Sequence, residues 1–357
     1  MLSHARRNPS ILQGRPVQRA DHCPRPTRRG TAQEAIRLSQ EPGPAQKFWR
    51  MLPSSIDRRV IFAAWATFVV QVAIVGTGGL VRLTASGLGC PTWPRCTPES
   101  FINTPEMGIH GVIEFGNRLL TFVLVAVAVI TFLFVVRMRR TRPDLFWLAL
   151  IIGLYVPIQA VIGGITVLTN LNPYVVGLHY FASVVLVAFA TVFVVRVYST
   201  PGPRVPAAPR GLAILAHLTS VAVVITVVVG ILVTGAGPHA GDAGAARNGL
   251  NPELMQHLHS WPAYATLALT LALLVGGWRL PLRRWVLLLL AVEAVQIAVG
   301  LWQARTGLPI VLVNIHMVLA VLLVAAMTAV VMHLKVPTTA IRAERDESAA
   351  PASVATS

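Results

Sequence analysis

Apolar stretches of about 20 residues or more, the length needed to cross a bilayer, recur eight times along this chain. They run over 59–81, 108–136, 145–167, 174–197, 211–234, 253–277, 283–303 and 309–334. An even number of spans puts both termini on one side, and the loops say which side, because short Lys/Arg-rich loops stay cytoplasmic. Arg137, Arg139, Arg140 and Arg142 follow span 2, and Arg196, Arg204 and Arg210 follow span 4. Arg279, Arg283 and Arg284 follow span 6, and Lys335, Arg342 and Arg345 follow span 8. With the residues between Arg6 and Arg59 these make 25 of the 30 Lys and Arg. The opposite loops hold only Arg82, Arg95, Arg247 and Arg305, and Arg118 lies inside span 2. The pattern predicts an all-α membrane protein of eight transmembrane helices with both termini in the cytoplasm.

Composition agrees. Only 12% of the 357 residues are charged and 54% are hydrophobic, whereas soluble domains average about 25% charged residues, so a soluble enzyme is excluded. A net charge of +16 would point to nucleic acid in a soluble protein; here it is the loop excess of a membrane protein, and no nucleic-acid partner is expected. Residues 1–58 are Arg- and Pro-rich with no apolar period, and 335–357 are polar, so both are expected to be disordered cytoplasmic segments. The first reads as a non-essential extension, with Met51 placed as a shorter start, or as an organelle transit peptide. The second reading would move the protein from a plasma membrane to the mitochondrial inner membrane.

Spans 3–4 and 7–8 spell one pattern. Gln159, Gly163, Thr169, Leu171 and His179 match Gln296, Gly300, Thr306, Leu308 and His316 at a constant offset of 137, with Pro173 and Pro309 displaced by one. The chain therefore divides into two four-helix halves, 59–200 and 211–334, joined by a cytoplasmic linker, 201–210. An even number of spans per half makes the repeats parallel, and each bundle is expected to hold its ligand between its helices.

Of the ten histidines, His4 and His22 lie in the N-terminal segment and His333 at the end of span 8, where a solvated or interfacial ring is expected; His217 reads as structural. His239, in the outer loop, reads equally as a surface residue or as part of a lid. His179 and His316 each lie about 10 Å into their spans from the outer end, and His259 lies at a similar depth in span 6. A lone imidazole there is costly and implies a partner. His259 and His316 on facing helices suit the two axial positions of a haem iron, or polar side chains gluing helices together; His257 faces elsewhere. In the first half, Asn117 aligns with His259 when Glu114 is set against Gln256. That half thus has one good ligand where the second has two, so one half can hold a haem permanently and the other loosely enough to act on it. His110, one turn before Glu114, is a competing ligand.

Glu114, a rare intramembrane acid, suits proton transfer or stabilisation of positive charge; with Arg118 four residues on, it reads alternatively as one half of a neutralising pair. Glu293 in span 7 has Val156 as its repeat counterpart and no ligand near it, and is left without a role. Cys90 and Cys96 lie in a loop on the oxidising side, where a disulfide is expected, with redox-active thiols or a metal site as alternatives. Cys23, on the reducing side, is expected as a free thiol.

Five segments together resemble the haem A synthase family, over essentially all of 59–334. They are Gly78-Gly-Leu-Val-Arg-Leu-Thr-Ala-Ser-Gly-Leu-Gly-Cys-Pro-Thr-Trp-Pro-Arg-Cys96, Ile113-Glu-Phe-Gly-Asn-Arg118, Leu171-Asn-Pro with His179, Thr234-Gly-Ala-Gly-Pro-His-Ala-Gly-Asp242, and Gln296 with Thr306-Gly-Leu-Pro and His316-Met. The likeness is to the actinobacterial form. The resemblance implies oxidation of the C8 methyl of haem O to a formyl, giving haem A for cytochrome c oxidase. It implies a resident haem b on His259 and His316 in the C-terminal half, and a haem O site in the N-terminal half with His179 as iron ligand and Glu114 as catalytic acid. Haem O synthase, an electron-transfer protein and the lipid bilayer are the partners it implies, and it is compatible with a homo-oligomer. Two positions depart from the family: Asn117 stands where a histidine is usual, and a second cysteine pair between spans 5 and 6 is absent. The alternative is a b-type electron-transfer cytochrome that modifies neither haem, against which the missing ligand at Asn117 argues. A transporter would show broken spans and a midplane site.

Overall fold

The computed structural model describes residues 43–338; the expectations for His4, His22 and Cys23 lie outside them. A short helix, Pro44–Met51, forms within the stretch expected to be disordered and belongs to an N-terminal unit ending at Met51. Pro44 presets its first turn, and Phe48 with Met51 and Lys47 with Arg50 form separate i,i+3 pairs, so the helix is amphipathic.

Among the described residues from Leu52 onward, eight helices are long and apolar enough to cross a membrane. They are α1 (Arg58–Leu83), α2 (Gly108–Val136), α3 (Pro143–Leu168), α4 (Pro173–Val197), α5 (Arg210–Ala236), α6 (Pro252–Gly276), α7 (Arg283–Arg305) and α8 (Ile310–Met332). They match the eight apolar stretches to within a few residues, and the chain is a multi-pass membrane protein. The boundaries follow local chemistry. Asp57 accepts hydrogen bonds from Arg59 N and Val60 N at the start of α1, Asn172 accepts from Tyr174 N before α4, and Asn251 accepts from Leu254 N before α6. Each satisfies donors that a helix start leaves orphaned.

The 137-residue repeat extends to the backbone. α3 and α7 both end in a Schellman turn: Leu171 N donates to Thr166 O at 2.8 Å and Leu308 N to Gln303 O at 2.9 Å. The left-handed residues are Asn170 and Leu171 in one turn and Gly307 and Leu308 in the other. Asn172 and Pro309 occupy the same position, the N-caps of α4 and α8, so the proline of the first turn comes one residue later while the offset of 137 is kept on both sides.

Within each half the helices form a ring. α1 packs on α2 and α4, and α3 on α2 and α4; α5 packs on α6 and α8, and α7 on α6 and α8. The halves meet through α4 against α8, α1 against α8 and α4 against α5, with Val75, Val184, Val187, Val227, Val321 and Ala325 at the seam. Two larger apolar cores, around Val60, Met138, Leu145 and Phe193 in the first half and around Val223, Leu273, Val286 and Leu289 in the second, fill the ends of the rings on the arginine-rich side. We call the opposite side, with 84–107, 169–172, 237–251 and 306–309, the loop side. Large apolar side chains such as Phe62, Phe122, Trp261 and Val275 point outward and are more than 70% exposed, the surface of a protein solvated by lipid.

On the arginine-rich side two strands pair antiparallel, β1 (Arg204–Pro206) with β2 (Lys335–Pro337). They give regular structure to part of the segment read as a linker, 201–210, and to the first residues of the polar C-terminal stretch, whose remainder lies outside the described residues. Ala207 N donates to Leu334 O and Thr338 N to Pro203 O, extending the ladder between segments too distant in sequence for an apolar period to reveal it.

Candidate functional site

A cavity of about 390 Å³ opens among α1, α4, α5, α6, α7 and α8, a volume typical of small-molecule sites. His179, His259 and His316 all border it. They lie six, seven and six residues from the loop-side ends of α4, α6 and α8, about 10 Å deep at 1.5 Å per residue.

Each imidazole rests against a glycine on the neighbouring helix. A Cβ on Gly163, Gly230 or Gly300 would come to 3.1, 2.9 and 2.9 Å of Cε1 of His179, His259 and His316 respectively, so any side chain there would displace the ring. Glutamines repeat as well: Gln159 Nε2 donates to His179 O and Gln296 Nε2 to His316 O, both at 3.2 Å. The glutamines thus tie α3 to α4 and α7 to α8 at the level of the histidines.

His259 and His316 face each other with ring centroids 6.3 Å apart and ring planes at 75°. Their Nδ1 atoms, like that of His179, are buried without a hydrogen-bond partner, a costly state in an apolar interior. A metal between two imidazoles, with bonds of about 2 Å and centroids about 1.1 Å behind the ligating nitrogens, imposes a separation near 6.3 Å. Among the described residues no three His, Cys, Asp or Glu form a metal cluster. The two rings are thus spaced as two imidazoles on one metal would be.

In the first half, Gly78 faces Asn117 as Gly230 faces His259, with a Cβ on Gly78 4.0 Å from Asn117 Nδ2. Asn117 Oδ1 is buried and unpartnered. The alignment that set Asn117 against His259 thus holds in space.

Glu114 does not border the cavity. It is 5% exposed and fully engaged: Arg118 Nη2 and Nε donate to Oε1 at 2.5 and 3.1 Å, and Cys90 N donates to Oε2 at 2.7 Å. Arg118 also donates to the carbonyls of Cys90, Thr92 and Arg95. The pair therefore clamps the loop that Cys90 and Cys96 close with a disulfide. Trp93 of this loop lies against Gly164, next to the glycine that seats His179, so the clamp holds a lid on the first half. His110 is exposed, with its Nδ1 2.9 Å from the Ser86 hydroxyl, and is not directed at the histidine cavity.

Two cavity residues emerge only in three dimensions. Arg82 donates to the carbonyls of Thr234 and His239, at 3.0 and 2.9 Å, and His239 Nε2 donates to Leu308 O at 3.0 Å; together they fasten the α5–α6 loop over the cavity mouth. Tyr180 donates to Met317 O at 2.8 Å, joining the residues that follow His179 and His316 across the seam. Its only signal in the sequence is that Tyr180 and Met317 are themselves one repeat apart.

Residues 62–328 match the model of the COX15-CtaA family, described as cytochrome oxidase assembly protein. The chain belongs to this family. Among curated relatives, the heme A synthase of Geobacillus kaustophilus is 30% identical over 127 residues, 36% of this chain and 39% of that protein. The heme A synthase of Listeria welshimeri is 30% identical over 133 residues, 34% of this chain and 42% of that protein. That of Bacillus cereus strain G9842 is 26% identical over 124 residues, 35% and 39%. The chain thus matches about two fifths of the length of these curated relatives.

Proposed function

We propose that this protein is a haem A synthase, a membrane oxidoreductase that converts the C8 methyl of haem O to a formyl for cytochrome c oxidase. The observation that carries the reading is the 6.3 Å separation of His259 and His316, two residues of the C-terminal half, across the cavity that both halves line. With their orphaned Nδ1 atoms and glycine seats, these two histidines would hold a resident haem b. Haem in such a site supplies one-electron redox chemistry.

The N-terminal half is proposed as the haem O half, with His179 as the iron ligand. Asn117, opposite in the repeat, is a poor metal ligand, and its weak hold suits a group that must enter and leave. Glu114 is proposed as the acid of this half. Its three hydrogen bonds, from Arg118 and from Cys90 N, tie it to the disulfide lid, and proton transfer from it requires the Arg118 pair to open. The Lys/Arg asymmetry of the loops supports cytoplasmic termini, with the histidines toward the outer face of the membrane. The repeat supports halves related by an axis along the membrane normal. The proposed partners are haem O synthase and an electron-transfer protein.

The test is chromatography of haems extracted from membranes of a host that makes haem O, with and without this protein. Haem A, or its hydroxymethyl precursor, appearing only with the protein is the expected result. Haem O and haem b alone, with the protein well incorporated, would overturn the proposal in favour of an electron-transfer cytochrome.

A further inference from the structure

Glu293 lies near the middle of α7, twelve residues from Arg305 and ten from Arg283, hence about 15 Å or more from either end. It is 3% exposed and borders the cavity that contains His259 and His316, one helical turn deeper than Gln296. Both its carboxyl oxygens are buried, and the hydroxyl of Thr270 on α6 faces them. The equivalent position in the first half is Val156, buried in an apolar cluster, so the carboxyl is a feature of one half only and repeat architecture does not require it.

The surroundings offer no counter-charge. From α6 and α8, the helices packed on α7, the titratable groups on the cavity are His259, Tyr264 and His316; across it stand His179, Tyr180, Arg82 and His239. No ion pair among the described residues includes Glu293, and Arg82 is engaged with backbone carbonyls. A carboxylate so placed is costly, and the balance between its charged and neutral forms is set by whatever charge enters the cavity.

We propose that Glu293 is the redox-linked proton acceptor of the C-terminal haem site. This rests on the reading of His259 and His316 as haem ligands. When an external one-electron donor reduces the bound ferric iron, the site loses one positive charge. Glu293 then takes one proton from water, converting its carboxylate to the neutral acid, and charge in the cavity is conserved. Reoxidation returns the electron to an acceptor and the proton to water. Thr270 is the hydroxyl placed to receive a hydrogen bond from the protonated form.

The experiment is an optical redox titration of the purified, haem-loaded full chain between about pH 6 and about pH 8. The wild-type midpoint is expected to fall as pH rises, with a slope approaching the 59 mV that a tenfold change represents for a one-electron couple; Glu293→Gln is expected to flatten that slope while keeping the haem spectrum. Equal slopes in the two proteins, or a flat wild type, overturn the proposal and leave the haem reading standing. A preparation that takes up no haem overturns both. Should Glu293→Gln fail to accumulate, the wild-type infrared difference spectrum decides: a protonated carboxyl band gained on reduction and shifted in Glu293→Asp supports the proposal, and its absence overturns it.

Discussion

The glycine seats behind the histidines give the sharpest test of the site, and Gly300→Ala is the most direct case. A Cβ there would lie 2.9 Å from Cε1 of His316, against 3.4–4 Å for ordinary contact. The ring, or the α7–α8 spacing, must therefore give by about 0.5 Å, the tolerance within which a preorganised site works. Overpacking of this kind costs about 1–3 kcal/mol. In opposition, replacing a mid-helix glycine by alanine stabilises a helix by about 0.5–1 kcal/mol. The two effects act on different observables: the helix gains and the ligand geometry loses. If most of the strain falls on haem binding, affinity drops about ten- to a hundredfold, since 1.4 kcal/mol is a factor of ten. The assay is the haem-to-protein ratio and the low-spin spectrum of the purified variant, with thermal unfolding measured in parallel. Gly153→Ala is the control, because nothing lies within 4 Å of a Cβ at that position of α3. Full haem content and an unchanged spectrum in Gly300→Ala would refute the argument, as would an equal loss in Gly153→Ala.

Other expectations follow from the same contacts. Glu114→Gln leaves Arg118 without its anion and loosens the disulfide lid; breaking a buried pair from one side costs about 3–5 kcal/mol, an upper bound here because the Arg118 side chain is 20% exposed. The readout is faster reduction of the Cys90–Cys96 bond by added thiol, and an unchanged rate would remove the clamp. Tyr180→Phe deletes the hydrogen bond to Met317 O and should cost about 1 kcal/mol of stability with the haem content intact; a loss of haem would show that the bond sets the spacing of the histidines. His333, just beyond α8, has its pKa lowered, first by burial and further by Arg284 and Arg204, against the opposing effect of its hydrogen bond to Ala329 O. Folding therefore favours its neutral form. That contribution is complete above the unfolded pKa of about 6.5 and is lost as pH falls toward the lower folded value. A wild-type Tm that falls on acidification below that point, more steeply than in His333→Gln, is the expected result, and parallel curves would refute it.

Much of the site was legible because its signals are local. Depth along a span, a fixed offset between repeats and a charge count need no knowledge of packing, and they singled out His179, His259, His316 and the Asn117 substitution. The role of Glu114 was only half legible. An intramembrane acid four residues before an arginine reads equally as a catalyst or as one half of a pair, and the backbone donor that completes its hydrogen bonding, Cys90 N, is 24 positions away in the chain. Glu293 carried the reverse problem: nothing in its neighbourhood along the chain gives it a counter-charge, and only the fold shows that no ion pair among the described residues includes it.

The sequence by itself determined the number of spans, the asymmetry of their loops, the two-half repeat and the residue types available at each depth. These follow from the transfer free energy of side chains and from helix-end chemistry, which act over a turn or two. Tertiary structure alone decided which histidines face one another, that one cavity brings together residues from six helices and both halves, that Tyr180 bridges the seam, and that β1 pairs with β2. Those contacts join residues far apart in the chain. Their geometry depends on how close two helices can approach, which is set by glycines on one helix and the rings they admit on the next.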